Sequence, residues 1–304
     1  MKVFVYEHIT ASISFQPNQA ESSLYREGMI MRDTLVGLIQ QLGYTVRIAY
    51  HSEDFLTACQ WADLTLVIAP ETDGILGNFC ETARQHCPIL LNCGATAISL
   101  STDKWAMYQH WLHQQVPTPR TWLGSQWQPQ PGTFIHKPRD GAGSQDTFLV
   151  GTEQEKQFTS ADLIQEFHPG VPASVTFLAG PSGKFALLAG KQLIEPETFA
   201  YLGGEMPLGG KLGERATKIA QRAIESVPGL LGLIGVDVIL GEDGEDVVIE
   251  INPRLTTSIV GLAALSETNL FAQILAVARG QDTQFSWKSQ KLRFSPTGKC
   301  EFFI

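Results

Sequence analysis

Residues Gly235–Arg254 read GVDVILGEDGEDVVIEINPR, two apolar runs on either side of Asp243-Gly244. An Asp-Gly pair between such runs is a turn signal, because glycine supplies the positive φ that a tight hairpin requires. A hairpin folded symmetrically about that pair sets Asp237 opposite Glu250, with both side chains on one face. Strand side chains alternate, so Asn252 and Val248 share the face of Glu250, while Val247, Ile249 and Ile251 take the other. Two facing carboxylates repel each other and are costly to bury uncompensated. A divalent cation removes that cost. The all-oxygen set Asp237, Glu250 and Asn252 suits Mg²⁺, which takes few protein ligands and completes its shell from phosphates. Glu242, Asp243, Glu245 and Asp246 read as solvated acids around the turn.

Upstream, a strand over Phe134–Lys137 ends in Lys137 and is followed by the turn Gly141-Ala142-Gly143-Ser144. Such a turn lets backbone N–H groups approach phosphate oxygens, and a lysine adds a point charge. The spacing is neither that of a P-loop nor that of a dinucleotide fingerprint. Gln165-Glu166-Phe167 closes a second strand, Leu163–Phe167. Lys104 falls at the start of a helix expected over Thr102–Gln115, with Thr102 as N-cap and Val116-Pro117-Thr118-Pro119 as its stop. Taken alone, each of these is an ordinary surface feature. Between them and the hairpin come strand-like runs at Ala173–Leu178, Lys184–Ala189 and Lys191–Ile194. Leu202–Gly213 is glycine-rich and reads as a mobile loop, a candidate lid, before a helix over Glu214–Ser226. A helix near Leu270–Arg279 and a strand-like tail follow.

The first hundred residues alternate strand and helix signals. Strands fall at Val3–Tyr6, Tyr44–Ala49, Leu64–Ala69 and Ile89–Asn92, and helices at Glu27–Leu42, Glu53–Ala62 and Gly77–His86, a pattern that predicts a small parallel sheet covered by helices. Thr10–Ser23 is a polar loop after the first strand, where ligand contacts commonly lie. The 304 residues suit two or three lobes, and 43% hydrophobic with 17% charged is a folded composition. A net charge of -9 argues against a general nucleic-acid binder. No run is long enough to span a bilayer, and the start is too polar for a secretory signal, so a soluble cytoplasmic protein with no membrane or nucleic-acid partner is expected. The five cysteines form no CxxC pair and read as reduced thiols; the Cys80, His86, Cys87, Cys93 group has no standard zinc spacing.

In order, Lys104, Pro117-Thr118-Pro119, Lys137-Pro138 before Gly141-Ala142-Gly143, Gln165-Glu166-Phe167, Gly235-Val236-Asp237 and Glu250-Ile251-Asn252-Pro253-Arg254 resemble the ATP-grasp superfamily. Within it, Tyr6-Glu7, Arg26-Glu27-Gly28-Met29, Tyr201–Leu208 (YLGGEMPL) and Glu250–Leu262 (EINPRLTTSIVGL) resemble the tyramine–glutamate ligase group, linked to methanofuran-type one-carbon cofactors. Ile259 stands where that group more often has an aromatic residue. The resemblance implies an α/β (α+β) ATP-grasp fold. It divides into a Rossmann-like, parallel-sheet pre-ATP-grasp domain over 1–100, a central subdomain over 101–168 and a C-terminal subdomain over 169–304.

It further implies an ATP-dependent carboxylate–amine ligase working through an acyl phosphate on small-molecule substrates, as a homodimer. Lys104 and Lys137 would contact ATP phosphates, with Gly141, Ala142, Gly143 and Ser144 closing over them. Gln165, Glu166 and Phe167 would meet the nucleotide. Asp237, Glu250 and Asn252 would hold two Mg²⁺ ions, for which Mn²⁺ can substitute. Arg254, with Lys137, would act on the reacting phosphate; Thr256 and Thr257 would lie near the acceptor, and Lys191 would be a further phosphate contact. Two rivals are an ATP-binding regulator, which has no need of the metal face or Arg254, and a nicotinamide oxidoreductase, for which the glycine fingerprint after Val3–Tyr6 is missing.

Overall fold

The computed structural model describes residues 1–12, 23–141, 143–144, 146–151 and 157–303. The N-terminal part runs β1 (Lys2–Glu7), α1 (His8–Ser12), α2 (Ser23–Gln41), β2 (Thr45–Ile48), α3 (Phe55–Trp61), β3 (Leu64–Ile68), α4 (Ile75–His86) and β4 (Ile89–Leu90). Its four strands are parallel in the order β2-β1-β3-β4. Val3–Tyr6 and Leu64–Ile68 are almost wholly buried, as continuous apolar strands in a sheet covered on both faces must be. Of the polar segment after β1, Thr10–Ser12 belongs to α1, and 13–22 lies outside the described residues.

A helix that the sequence reading missed, α5 (Ala95–Thr102), comes next, and α6 spans Lys104–His113. Thr102 therefore ends one helix and does not cap the next. The N-cap is Asp103, whose carboxylate accepts from the N–H groups of Trp105 and Ala106 at 3.0 and 3.1 Å and pairs with Arg139. A charged acceptor serves both the free amides and the arginine, which a threonine hydroxyl cannot do. Strands β5 (Thr121–Leu123), β6 (Phe134–Pro138), β7 (Phe148–Val150) and β8 (Asp162–Glu166) form a second sheet, ordered β5-β8-β6-β7.

The third sheet is antiparallel. It contains β9 (Val171–Gly180), β10 (Gly183–Ile194), β11 (Tyr201–Met206), then after α7 (Gly210–Ser226) β12 (Gly232–Leu240) and β13 (Val247–Asn252). Helices α8 (Ile259–Leu265) and α9 (Leu270–Ala278) precede β14 (Lys291–Phe294) and β15 (Cys300–Phe303). The strand order is β13-β12-β9-β10-β11-β14-β15. The runs expected to be separate around Ala189 and Lys191 are one long strand, with an irregularity between Ala186 and Ala189. Leu202–Gly213 is not a loop or a lid: Tyr201–Met206 pairs with both β10 and β14, and Gly210 already begins α7. Its glycines serve close strand approach. A Cβ on Gly203 would lie 2.0 Å from the Phe294 carbonyl oxygen, and one on Gly204 2.8 Å from the Phe294 ring.

The hairpin has Asp237 opposite Glu250 and Gly235 opposite Asn252, as expected. Beyond Asp237 the register slips by one, so that Val238 pairs with Val248 and Ile249 is the extra residue. The bulge reverses the expected alternation at Val248 and Ile249 only. Val248 joins Val236, Val238 and Ile251 in the core, and Ile249 lines a cavity beside Glu250. That core face packs with Ala216, Ile219, Ala220, Ala223 and Ile224 of α7. Burying a Val or Ile side chain there contributes about 1.5–3 kcal/mol, so the apolar face anchors the hairpin and leaves its polar face for the site.

Candidate active site

The polar face of β12–β13 looks toward β10 and the sheet carrying β6 and β8. Asp237 Oδ1 accepts from Gln192 Nε2 of β10 at 3.0 Å, and its Oδ2 accepts from Asn252 Nδ2 at 3.1 Å. Burial, and then the charge of Glu250, push the Asp237 carboxyl up to about 6, against hydrogen bonds from Ser174 and Asn252 that favour its ionised form. Glu250 is less buried and pairs with Lys104 Nζ at 3.1 Å. The same ammonium donates to the Gly141 carbonyl at 2.5 Å, so Lys104 ties the glycine turn after β6 to the carboxylate hairpin.

Lys137 lies behind this turn, where β6 delivers it into the protein. Its Nζ donates to Gln165 Oε1 at 2.9 Å, and Gln165 Nε2 donates to Thr121 Oγ1 at 2.9 Å. Burial, opposed by Glu250 and aided by Lys104, lowers the Lys137 ammonium to about 8. The folded chain thus keeps a partly desolvated cation against the hairpin. It gains by doing so only if an anion arrives there.

Two cavities meet at the carboxylate pair. The larger, about 400 Å³, runs between the hairpin and the β6–β8 sheet. Its walls are Ile135, Val238, Ile239 and Ile249; Lys104, Lys137, Asp237 and Glu250 also line it, as do Gln165, Glu166 and Phe167 of the second sheet. The smaller, about 170 Å³, shares Asp237, Glu250, Gln192 and Ser144 with it and reaches Arg254, Thr256 and Thr257 and the N-terminal residues Glu7 and Glu27. Gly141 lines the larger cavity and Gly143 both, while Ala142 lies outside the described residues.

Arg254 is largely buried beside the buried Glu71, which follows β3. Their Nε and Oε1 atoms are 2.9 Å apart, close enough for an ion pair, although neither atom completes an aligned hydrogen bond. Burial disfavours the Arg254 charge, but Glu71, Glu250 and Glu27 more than offset it and hold the guanidinium above its ordinary value. Thr256 leans on Gly235, where a Cβ would come within 2.6 Å of the threonine methyl. Thr257 donates to Glu27 Oε2 at 3.3 Å.

The expected residues that are described therefore converge on the two cavities, with one exception. Lys191 lines neither: its neighbours Gln192 and Ile194 face the cavities, so strand alternation turns Lys191 outward, where it is exposed. Gln192, Ser174, Tyr201 and Glu71 were not foreseen. Glu71 carries one legible signal, since it follows the carboxyl end of a parallel strand, where α/β sheets place ligand-site residues. The other three come from β9, β10 and β11, whose order beside the hairpin in the sheet no local spacing announces.

The chain matches the ATP-grasp domain family over residues 101–258 and the pre ATP-grasp 3 domain over 44–98. It is 31% identical over 229 residues to the tyramine–L-glutamate ligase of Methanocaldococcus jannaschii, covering 75% of this chain and 67% of that one. The ligase of the same name from Methanocaldococcus fervens is 31% identical over 223 residues, 73% and 68% of the two chains. Among solved structures, an ATP-grasp superfamily protein from Archaeoglobus fulgidus superposes with a TM-score of 0.76 at 24% identity, over 96% of this chain and 92% of its own. A carboxyaminoimidazole ribonucleotide synthase from Aspergillus clavatus complexed with ATP does so at 0.72 and 12%, over 97% and 81%. At those identities the structures speak for the fold, and the sequence matches speak for the family. With its parallel N-terminal sheet, its two further sheets and its paired carboxylates, this chain belongs to the ATP-grasp family and is an ATP-dependent carboxylate–amine ligase.

Proposed function

We propose that the enzyme joins L-glutamate to tyramine or a related primary amine, in one-carbon cofactor biosynthesis in the cytoplasm, through an acyl phosphate made from ATP. The observation that carries this is the meeting of the two cavities at Asp237 and Glu250: a larger one with apolar walls and two lysines, and a smaller one with a buried arginine. The ligases of 31% identity that bear the name of this reaction supply the choice of substrates.

In this reading the larger cavity takes ATP. Ile135, Ile239 and Ile249 sandwich the base, Gln165, Glu166 and Phe167 meet the base and ribose, and Lys104 and Lys137 meet the phosphates under the Gly141–Ser144 turn. The residues fit Mg²⁺. Asp237 and Glu250 offer two adjacent carboxylates, and the Asn252 carbonyl oxygen is available because its NH₂ is the group that donates to Asp237. Mg²⁺ needs few protein ligands and would take the others from phosphate and water. When bound, two Mg²⁺ ions, or Mn²⁺, neutralise phosphate charge.

The protein's own work is positioning and charge, as phosphoryl transfer demands. Asp237 is held by Gln192 and Asn252, so the polar face is set before substrate arrives. Arg254, fixed by Glu71, reaches the substrate carboxylate as it attacks the γ-phosphorus and steadies the acyl phosphate. Thr256 and Thr257 border the space from which the amine attacks the acyl carbon and releases phosphate.

The test is ADP release with Mg-ATP and L-glutamate across a panel of amines including tyramine and tyrosine. Amine-dependent release with an amide product is expected. Clear Mg-ATP binding without release for any pair would reject the glutamate assignment.

A further inference from the structure

The smaller cavity carries an unbalanced charge. Among the described residues its charged lining holds four carboxylates, Glu7, Glu27, Asp237 and Glu250, against one guanidinium, Arg254. Arg254 is engaged by Glu71 from behind. In the reading above, the cations of the phosphate site answer Asp237 and Glu250. They leave Glu7 and Glu27, at the far end against the N-terminal domain, to be answered by something else.

The two differ in how well the protein satisfies them. Glu7, 2% exposed, accepts the N–H groups of Ile9 and Thr10 at 3.1 and 2.6 Å, and it lies under Gly28, where any Cβ would come within 2.6 Å of its carboxyl carbon. Arg32 adds a favourable charge nearby. Glu27, one residue before Gly28, receives a single long hydrogen bond, the 3.3 Å contact from the Thr257 hydroxyl, among the described residues. Burial raises both carboxyls above their ordinary values, and for Glu27 neither Thr257 nor Arg254 restores it. Tyr201 also faces Glu27 and is itself held neutral by burial and by the carboxylates Asp237 and Glu27. Among the described residues, a carboxylate so placed has unused acceptor capacity, and the one cation that acts on it, Arg254, is already engaged by Glu71. Beyond it the cavity wall is apolar, with Ile9, Leu24, Met31 and Ile68.

We propose that Glu27 holds the ammonium of the amine substrate and takes its proton as the amine attacks, the apolar wall receiving the amine's hydrocarbon body. This rests on the ligase reading of the site and assigns the end of the cavity that reading leaves open. The ammonium gives one proton to the Glu27 carboxylate. The freed lone pair forms the C–N bond at the acyl carbon, the C–O bond to the phosphate breaks, and phosphate leaves with the bonding pair and accepts the second N–H proton. A carboxyl raised by burial is better matched to this transfer than an exposed one.

Two measurements judge the proposal. Calorimetric titration with tyramine compares the wild type with Glu27→Gln, and N-acetyltyramine serves as the probe without an ammonium. Tyramine is expected to bind the variant about tenfold or more weakly, the size of one lost charge-assisted hydrogen bond, and N-acetyltyramine to bind neither protein. Equal affinity for the variant, or no tyramine binding by the wild type, overturns the site. Hydroxylamine, uncharged at neutral pH, then traps the acyl phosphate without needing an ammonium pocket or a base. The ratio of tyramide to hydroxamate is expected to fall about a hundredfold in Glu27→Gln, binding and proton transfer both being lost. An unchanged ratio overturns the proposal, as does a rise in KM for L-glutamate alone, which would give the ammonium to the acid substrate. No hydroxamate from the wild type would defeat the ligase reading with that acid, while the titration would still judge the ammonium site.

Discussion

Lys137→Met should make the ligand-free protein more stable and inactive. The wild-type ammonium is buried, and burial with the nearby Lys104 brings it from 10.5 to about 8. Holding that group charged at pH 7 therefore costs about 3 kcal/mol relative to the unfolded chain. Methionine fills the same volume without a charge. It leaves Gln165 Oε1 without its 2.9 Å donor, a loss of about 1 kcal/mol. The net gain is about 2 kcal/mol, a rise in Tm of about 3 °C for a protein of this size. The sign with pH is fixed. A lysine whose folded value is depressed binds its proton less well in the native state, so wild-type stability rises as pH climbs from about 8 toward 10.5. The advantage of the methionine variant is thus full at pH 7 and closes by about pH 10. Thermal unfolding of both proteins across that range, with ADP release measured in parallel, is the assay. A variant less stable than wild type at pH 7, or a stability gap that ignores pH, refutes the account of Lys137 as a desolvated charge kept for an incoming anion.

Four further outcomes are expected. Glu250→Gln should lose turnover by about a hundredfold or more while keeping its circular dichroism and Tm near wild type; normal ATP-dependent turnover would remove Glu250 from the metal set. Because Asp237 titrates at about 6, protons should compete with Mg²⁺, and Mg²⁺ affinity, measured by titration, should fall up to about tenfold per unit as pH drops below 6; Glu250→Gln, which removes the neighbouring charge, should move that fall to lower pH. Arg254→Ala should lower kcat far more than ATP affinity, and it should destabilise by about 3–5 kcal/mol by stranding Glu71, 4% exposed; a pure loss of ATP binding would place Arg254 away from the reacting centre. Gly28→Ala, in a helix where alanine ordinarily stabilises, should instead cost about 1–3 kcal/mol, because its Cβ would press on the Glu7 carboxyl at 2.6 Å; a raised Tm would show that Glu7 is not wedged there.

Much of the site was legible because it is local. The facing of Asp237 and Glu250 follows from a two-residue turn and the two-residue period of a strand, and both are written in Gly235–Arg254. The parallel N-terminal sheet follows from alternating apolar runs and amphipathic helices over the first hundred residues. The same local rules failed where a distant partner decided the outcome. The bulge at Ile249 turned Val248 into the core. The glycines of Tyr201–Met206 read as flexibility until β14, ninety residues on, packed against them. Asp103 took the cap from Thr102 because Arg139 stood beside it.

What the sequence by itself determined is the chemistry in kind: two carboxylates and an amide on one strand face, lysines on short polar segments, an arginine after the hairpin. Which of these meet, and in what state of charge, belonged to the tertiary structure. Gln192 reaches Asp237, Gln165 holds Lys137, Glu71 braces Arg254, and Glu27 is brought to the same cavity from the opposite domain. Side-chain type is a property of one residue, whereas burial and charge balance depend on every neighbour within a few ångströms, and those neighbours come from strands and helices far apart in the chain.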